Sequence, residues 1–200
     1  GGTASSILAV LRGKCERYVF TDVSESFLRR ARQRFEAESI VEYALLNIDM
    51  DPALQGFALG EHHVVIATNV LHATPFVGRT LRNCAKLLCP GGLLLVNEAT
   101  HADMFAQITF GLTDGWWRFA ESRDPERIGQ ASPLMTWRQW EGLFSDSGFG
   151  QRLCMQAEGV CMRQAVMVAQ LGRAPRPRTG SHADALRKDA DGSERAYLFS

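Results

Sequence analysis

One stretch, residues 62–100, constrains the fold of this 200-residue chain more than any other. It opens with a short, nearly continuous apolar run over Val64–Val70, which is typical of a strand buried on both faces of a parallel sheet. Helical spacing follows from Thr74 to Leu88, and Pro90-Gly91-Gly92 then breaks the pattern before a second apolar run over Leu93–Val96. Together these segments predict a right-handed βαβ unit whose two strands are parallel and near each other.

Two polar residues follow the strands of this unit. His72 lies just past the first strand and Glu98 at the end of the second. Carboxyl ends of parallel strands meet at one edge of the sheet, where open α/β folds bind ligands, and adjacent strands are ~4.8 Å apart. The sequence therefore predicts that the imidazole and the carboxylate touch. Taken alone, the same pattern is more often a loop histidine held by backbone groups and a solvated strand end.

Composition limits the classes of partner. Lys plus Arg and Asp plus Glu number 22 each, so no net charge draws the chain to nucleic acid or to a membrane surface, and we expect neither partner. The chain is 46% hydrophobic, enough for a sizeable core, without an apolar run of membrane-spanning length. Its five cysteines form no C-x-x-C pair, which favours reduced thiols in a cytoplasmic setting and argues against a structural zinc site.

The segments before this unit follow the order of an α/β fold. Gly1 and Gly2 precede an apolar-periodic run, which reads as a glycine-rich turn entering a helix. A strand over 18–23 then brings Asp22 to its carboxyl end, and a third strand covers Glu42–Ile48. An acid placed like Asp22 can accept both hydroxyls of a ribose, and the alternative is a plain loop or cap residue.

The pattern changes after Glu98. Residues 101–135 are rich in aromatic side chains, and we expect them to be part helix and part lid over the carboxyl edge, with core packing as the commoner use of such a cluster. A further helix runs from Thr136 to Gly148, and strands at about 152–157 and 164–170 predict an antiparallel hairpin. The composition then divides the chain into a domain at 1–171 and a linker or disordered tail at 172–200.

With these elements in order, the chain resembles a class I S-adenosylmethionine-dependent methyltransferase, most of all the C-methyltransferase domains of polyketide synthases (methyltransferase type 12-like). The resemblance covers roughly residues 1–171 and is carried by FTDVSESFLRRARQRF, LLNIDMDPALQGF, VVIATNVLHAT, LRNCAKLLCPGGLLLVNE and FGLTDGWWRF. It implies an α/β, Rossmann-like fold with a mostly parallel sheet and a late antiparallel strand. The family's central first strand would precede Gly1, so we expect a piece of a longer polypeptide that folds poorly as residues 1–200 alone.

The resemblance also implies a site. S-adenosylmethionine is the implied cofactor, and no metal is implied. His72 and Glu98 match the family's catalytic pair, and Asn47 stands where the family usually has an aspartate near the adenine. The positions implied to contact the cofactor are Gly1, Gly2, Thr3, Asp22, Asn47, Ile48 and Asn69.

By the same resemblance, the expected reaction is methylation of the α-carbon of a β-ketoacyl thioester. The substrate would be carried on the phosphopantetheine arm of an acyl carrier protein, with neighbouring synthase domains as further partners. O-methylation of a similar substrate and a non-catalytic, methyltransferase-like structural domain are the alternatives. A Rossmann-type dehydrogenase fits less well, because the late antiparallel strand and the NVLHAT motif are foreign to it.

Overall fold

The protein is described by a computed structural model that covers residues 2–101, 104–156, 164–172 and 195–199. Its α-helices are α1 (Gly2–Leu11), α2 (Glu25–Arg34), α3 (Val77–Leu87), α4 (Met104–Thr109), α5 (Asp114–Glu121) and α6 (Trp137–Asp146). Its strands are β1 (Arg17–Asp22), β2 (Val41–Leu45), β3 (His62–Thr68), β4 (Leu88–Ala99), β5 (Phe149–Gln156), β6 (Gln164–Leu171) and β7 (Arg195–Phe199). Short 3-10 turns lie at Pro52–Gln55, Leu71–Ala73, Phe110–Leu112 and Pro125–Arg127.

These strands form one sheet in the order β2-β1-β7-β3-β4-β6-β5. The first five strands of that order are mutually parallel, while β6 pairs antiparallel with both β4 and β5. The predicted Rossmann-like fold, mostly parallel with a late antiparallel hairpin, is confirmed.

The sheet is covered on both faces because its strands bury alternate residues on opposite sides. Tyr18 and Phe20 of β1 pack with α1 and α2, whereas Val19 between them packs with the core that contains α3 and α6. Burial on both faces explains why the parallel strands read as continuous apolar runs in the sequence.

The predicted βαβ unit is β3-α3-β4. Its parallel register aligns Val64 with Leu93 and Thr68 with Asn97. The register shifts between His62 and Val64, close to Gly92. A Cβ added to Gly92 would lie 2.9 Å from the backbone oxygen of Cys89 and 3.0 Å from that of His62. The glycine is therefore required by a close backbone approach, and β4 extends through Pro90-Gly91-Gly92 instead of starting after it.

The centre of the sheet differs from the sequence-based expectation. Residues 172–200 were predicted to be a linker or disordered tail, yet Arg195–Phe199 form β7 between β1 and β3, the place that the resemblance gives to the family's first strand. Tyr197 is aligned with Val19 on one side and Val65 on the other. A gap there would leave the edges of two buried strands without backbone partners, which is costly, and AYLF is the tail's one apolar run. The intervening residues 173–194 lie outside the described part of the chain.

Candidate active site

The predicted meeting of His72 and Glu98 is present in the structure. His72 lies in the 3-10 turn Leu71–Ala73 that follows β3, and Glu98 is the penultimate residue of the neighbouring β4. The imidazole Nδ1–H donates a hydrogen bond to Oε2 of Glu98. This contact fixes the proton on Nδ1 and leaves Nε2 as the basic nitrogen of the ring.

The carboxylate of Glu98 is fully buried, and its other oxygen is bound by the backbone. Oε1 accepts the N–H of Val70 at 3.0 Å and that of Leu71 at 2.8 Å. Both backbone contacts of Oε1 are with N–H donors, which suits an ionised carboxylate because it can only accept hydrogen bonds. Glu98 therefore fixes both the ring of His72 and the turn that carries it.

His72 also lines a cavity of about 380 Å³ at the carboxyl edge of the sheet. The cavity walls come from the end of β3, the end of β4, the helical segment after β4 and residue 134, namely Asn69, His72, Ala73, Ala99, Phe110, Thr113, Gly115, Trp116 and Leu134. Most of these side chains are apolar. The space beside the imidazole can therefore hold an apolar group and limit the access of water.

The aromatic segment divides into core and cavity wall. Trp116 is 5% exposed, meets the ring of His72 edge to face at 6.3 Å between centroids, and stacks on Phe110 at 6.0 Å. Phe119 is buried, whereas Phe105 on α4 is largely exposed. The 110–112 turn and α5 thus contribute side chains to the wall of the cavity, whereas α4 packs through Ala106 against Ala99 and Trp116.

Asn69 follows β3 with a positive φ of 49°, a backbone conformation that is uncommon outside glycine. Its side-chain Oδ1 accepts the N–H of Ala99 at 3.2 Å, and its own N–H donates to the oxygen of Asn97 at 2.8 Å. The residue therefore ties the end of β3 to the end of β4, on the wall of the cavity.

Other predicted cofactor positions follow neighbouring strands at the same edge. Asp22 ends β1, and its Oδ1 accepts the N–H of Ser24 at 2.8 Å. Asn47 lies exposed just after β2, with its Oδ1 accepting the N–H of Asp49, while the side chain of Ile48 is buried in the core.

The glycine-rich turn is seen only in part. Gly2 and Thr3 form the first turn of α1. Gly1 lies outside the described residues.

Sequence reasoning missed two functional candidates next to the site, Asp124 and Arg127. Both are buried, and they form an ion pair directly behind the turn that carries His72. Their only sequence signal is an acid and a base three residues apart around Pro125, a pattern that is usual on exposed surfaces.

Among the residues that the structure describes, no helix is long and apolar enough to cross a membrane. Within the same residues, no group of three or more His, Cys, Asp or Glu side chains is placed to hold a metal ion.

Comparison with known proteins defines the class. A family model described as a methyltransferase domain matches residues 1–94. The squalestatin tetraketide synthase clz2 of Cochliobolus lunatus is 40% identical over 157 residues, which are 74% of this chain and 6% of that protein. This chain therefore spans less than a tenth of the length of that curated relative.

Solved structures of methyltransferases are similar to this chain in both fold and sequence. The CurJ carbon methyltransferase is 37% identical with a TM-score of 0.77, over 86% of this chain and 46% of that one. The trans-methyltransferase CalH, solved in complex with SAH, is 35% identical with a TM-score of 0.76, over 86% of this chain and 49% of that one. The chain belongs to the S-adenosylmethionine-dependent methyltransferases. Within that class it is similar to the carbon methyltransferase domains of polyketide synthases.

Proposed function

We propose that this chain transfers a methyl group from S-adenosylmethionine to the α-carbon of a β-ketoacyl thioester held on the phosphopantetheine arm of an acyl carrier protein. In this proposal His72 is the general base, Glu98 orients it, and neighbouring synthase domains supply the acyl chain. The observation that carries the proposal is the buried carboxylate of Glu98 holding Nδ1 of His72 at the wall of an apolar cavity.

The residues at the carboxyl edge fit the cofactor. Asp22 and Asn47 follow adjacent parallel strands and bring a carboxylate and an amide to one edge, the acceptors that a ribose diol and an adenine amine need. Asn69 would lie nearer the reacting end, since it lines the cavity beside His72. Gly2 and Thr3 would contribute backbone at the start of α1, while Ile48 would contribute through its backbone because its side chain is in the core.

The cofactor, when bound, supplies a methyl group on a positively charged sulfur, which is already an electrophile. The protein must generate the carbon nucleophile. Nε2 of His72 accepts the proton from the α-carbon, and the electron pair of the broken C–H bond is delocalised as an enolate over the β-ketone and the thioester carbonyl. Glu98 stabilises the resulting imidazolium through Nδ1–H, and the proton then leaves His72 to solvent.

The apolar wall of the cavity has two effects on this step. It limits the water that would compete for the proton on His72, and it aligns the α-carbon with the methyl group. The turn that carries His72 is held by backbone contacts to Glu98, so the base needs little reorganisation when the substrate enters.

The test incubates the protein with S-adenosylmethionine and a β-ketoacyl thioester, followed by mass spectrometry with fragmentation of the product. One methyl group on the α-carbon is the expected result, and His72→Ala should lower turnover by about 10²- to 10⁴-fold with cofactor affinity nearly unchanged. A methyl group on oxygen would contradict the proposal that the α-carbon is the methyl acceptor. Retained turnover in His72→Ala would contradict the proposal that His72 is the general base. Cofactor binding without methylation of any acyl thioester would favour a different substrate or a structural domain.

A further inference from the structure

A buried ion pair lies behind the turn that carries the base. Asp124 and Arg127 are each 1% exposed, and Nε of Arg127 donates to Oδ2 of Asp124 at 2.6 Å. Burial lowers the pKa of the Arg127 guanidinium, and the hydrogen bond that the guanidinium donates to Asp124 opposes this shift. Because desolvation of two charges offsets much of their attraction, the pair by itself is weak support for stability.

The other nitrogens of Arg127 hold the backbone of the turn. Nη1 donates to the carbonyl oxygen of His72 at 2.6 Å, and Nη2 donates to that of Thr74 at 2.6 Å. The guanidinium also lies over the ring of Phe119, with Cζ 5.2 Å from its centroid. Donating to two carbonyl oxygens at once requires a planar guanidinium with several N–H donors, and the single ammonium group of lysine cannot reproduce this geometry.

Two charged groups of opposite sign therefore hold one short segment. Glu98 accepts the N–H groups of Val70 and Leu71, at the start of the turn. Arg127 donates to the carbonyls of His72 and Thr74, at its end. The turn is a single 3-10 helix of three residues, too short to define its own orientation through internal hydrogen bonds.

We propose that Arg127, held by Asp124, is a positioning residue that sets the backbone of His72 and thereby aims its imidazole at the substrate cavity. The proposal rests on the proposed function of His72. It couples the segment around Pro125–Arg127 to the base, although neither Arg127 nor Asp124 is among the residues that line the cavity. Misplacing a reacting group by about 1 Å costs roughly 10²-fold in rate, so loss of the grip should be measurable.

The test combines Asp124→Asn and Arg127→Met in the protein. This pair removes both donors to the carbonyls without leaving an uncompensated buried charge. The two oxygens of Asp124 accept the N–H groups of Val77 and Glu126 separately, and the single amide oxygen of Asn keeps an acceptor for one of them. We expect kcat to fall by about 10²-fold, while KM and the cofactor Kd stay within about threefold. Arg127→Lys keeps the charge opposite Asp124 but not the fork, and we expect its kcat to fall by about tenfold.

A second readout separates positioning from structural support. The imidazole ¹⁵N signals of His72 should report one tautomer, with the proton on Nδ1, in the parent and exchange between tautomers in the double variant. Arg17→Met is the matched control, since Arg17 grips Glu42 by a similar two-point contact on the exposed surface, and it should leave kcat and the His72 signals unchanged.

Two outcomes would overturn the positioning function. One is a double variant that melts cooperatively with unchanged kcat and unchanged His72 signals. If that variant does not fold, an Arg127→Lys variant with parental kcat would do the same. Failure of the proposed function has a different signature, which is full turnover in His72→Ala, whatever Arg127 does to the ¹⁵N signals.

Discussion

His72 and Glu98 are 26 residues apart in sequence and meet through one hydrogen bond from Nδ1–H to a carboxylate that is fully buried. The register of β3 and β4, which aligns Thr68 with Asn97, brings them together. Because the other carboxylate oxygen is held by two backbone N–H groups, Glu98 has one orientation available, and it presents an acceptor to the ring.

Glu98→Gln should therefore invert the tautomer of His72. The amide oxygen would take the place of Oε1 to keep the N–H donors of Val70 and Leu71, which turns the amide N–H₂ toward the imidazole. Nδ1 would become an acceptor and Nε2 would carry the proton, so the base would be lost. We expect kcat to fall by about 10²- to 10⁴-fold, measured by methyl transfer to a β-ketoacyl thioester.

The control for this change is Glu121→Gln, the same substitution at an exposed position of α5. It should leave kcat at the parental value, and both variants should bind the cofactor normally. A Glu98→Gln variant with full turnover would mean that Glu98 does not orient the base.

The βαβ unit and the contact of its two polar residues were predictable, because both follow from local patterns. Apolar runs define buried strands, and parallel strands bring their carboxyl ends together. The start of β4 was not predictable, because the strand begins at Leu88 and runs through Pro90-Gly91-Gly92. Gly92 is required there by the close approach of two backbone oxygens, which depends on the register and not on the local sequence.

Two features could not be predicted from the sequence, because they depend on contacts between residues that are far apart in the chain. Arg127 reaches the carbonyl of His72 across 55 residues of chain, and no periodicity marks a charged side chain that will be buried. Residues 195–199 join the sheet across more than 120 residues from β3, and their flanking Arg-rich, polar composition is that of a tail. Both features complete backbone hydrogen bonding in the interior, a requirement that local patterns do not express.

Gly115 offers a test of the cavity as the acyl site. It lines the cavity in the first turn of α5, and a Cβ added there would meet no atom within 4 Å. Gly115→Ala should raise the free energy of unfolding by about 0.5 kcal/mol through helix propensity and leave turnover near the parental value. Gly115→Leu should occupy the cavity and raise KM by about tenfold, equal to about 1.4 kcal/mol of lost substrate binding.

In this pair the alanine variant is the control for the leucine variant, and steady-state kinetics with short and long acyl thioesters is the measurement. The increase in KM should be larger for the longer chain, while the cofactor Kd stays the same. An unchanged KM in Gly115→Leu would exclude this cavity as the acyl site.

The position of β7 gives a stability prediction. Residues 196–199 are paired with β1 on one side and with β3 on the other, so backbone N–H groups in this part of the strand face a neighbouring strand. Leu198→Pro should remove one of these donors and cost about 3 kcal/mol, which lowers Tm by roughly 6–12 °C for a domain of this size. Leu198→Val keeps the donor and a residue suited to strands, and its Tm should stay within about 2 °C. Amide hydrogen exchange tests the position of β7 directly. Unprotected amides at 196–198 would contradict it, because they would place this segment outside the sheet.

The burial of Cys84 predicts how thiol alkylation and the free energy of unfolding depend on pH. Its side chain is fully buried on the inner face of α3, and burial raises the pKa of the thiol from 9.0 to about 12. At pH 8 the folded protein should therefore resist alkylation at Cys84 while the partly exposed Cys89 reacts, which peptide mass spectrometry after iodoacetamide treatment can measure.

Between pH 9 and 12 the unfolded chain releases the Cys84 proton and the folded chain retains it, so the free energy of unfolding should fall as pH rises through this window. Cys84→Ser is unsuited as a control because it buries a hydroxyl, whereas Cys84→Ala should remove this part of the pH dependence at the cost of a small cavity. Rapid alkylation of Cys84 at pH 8 under native conditions would show that α3 opens on the timescale of labelling.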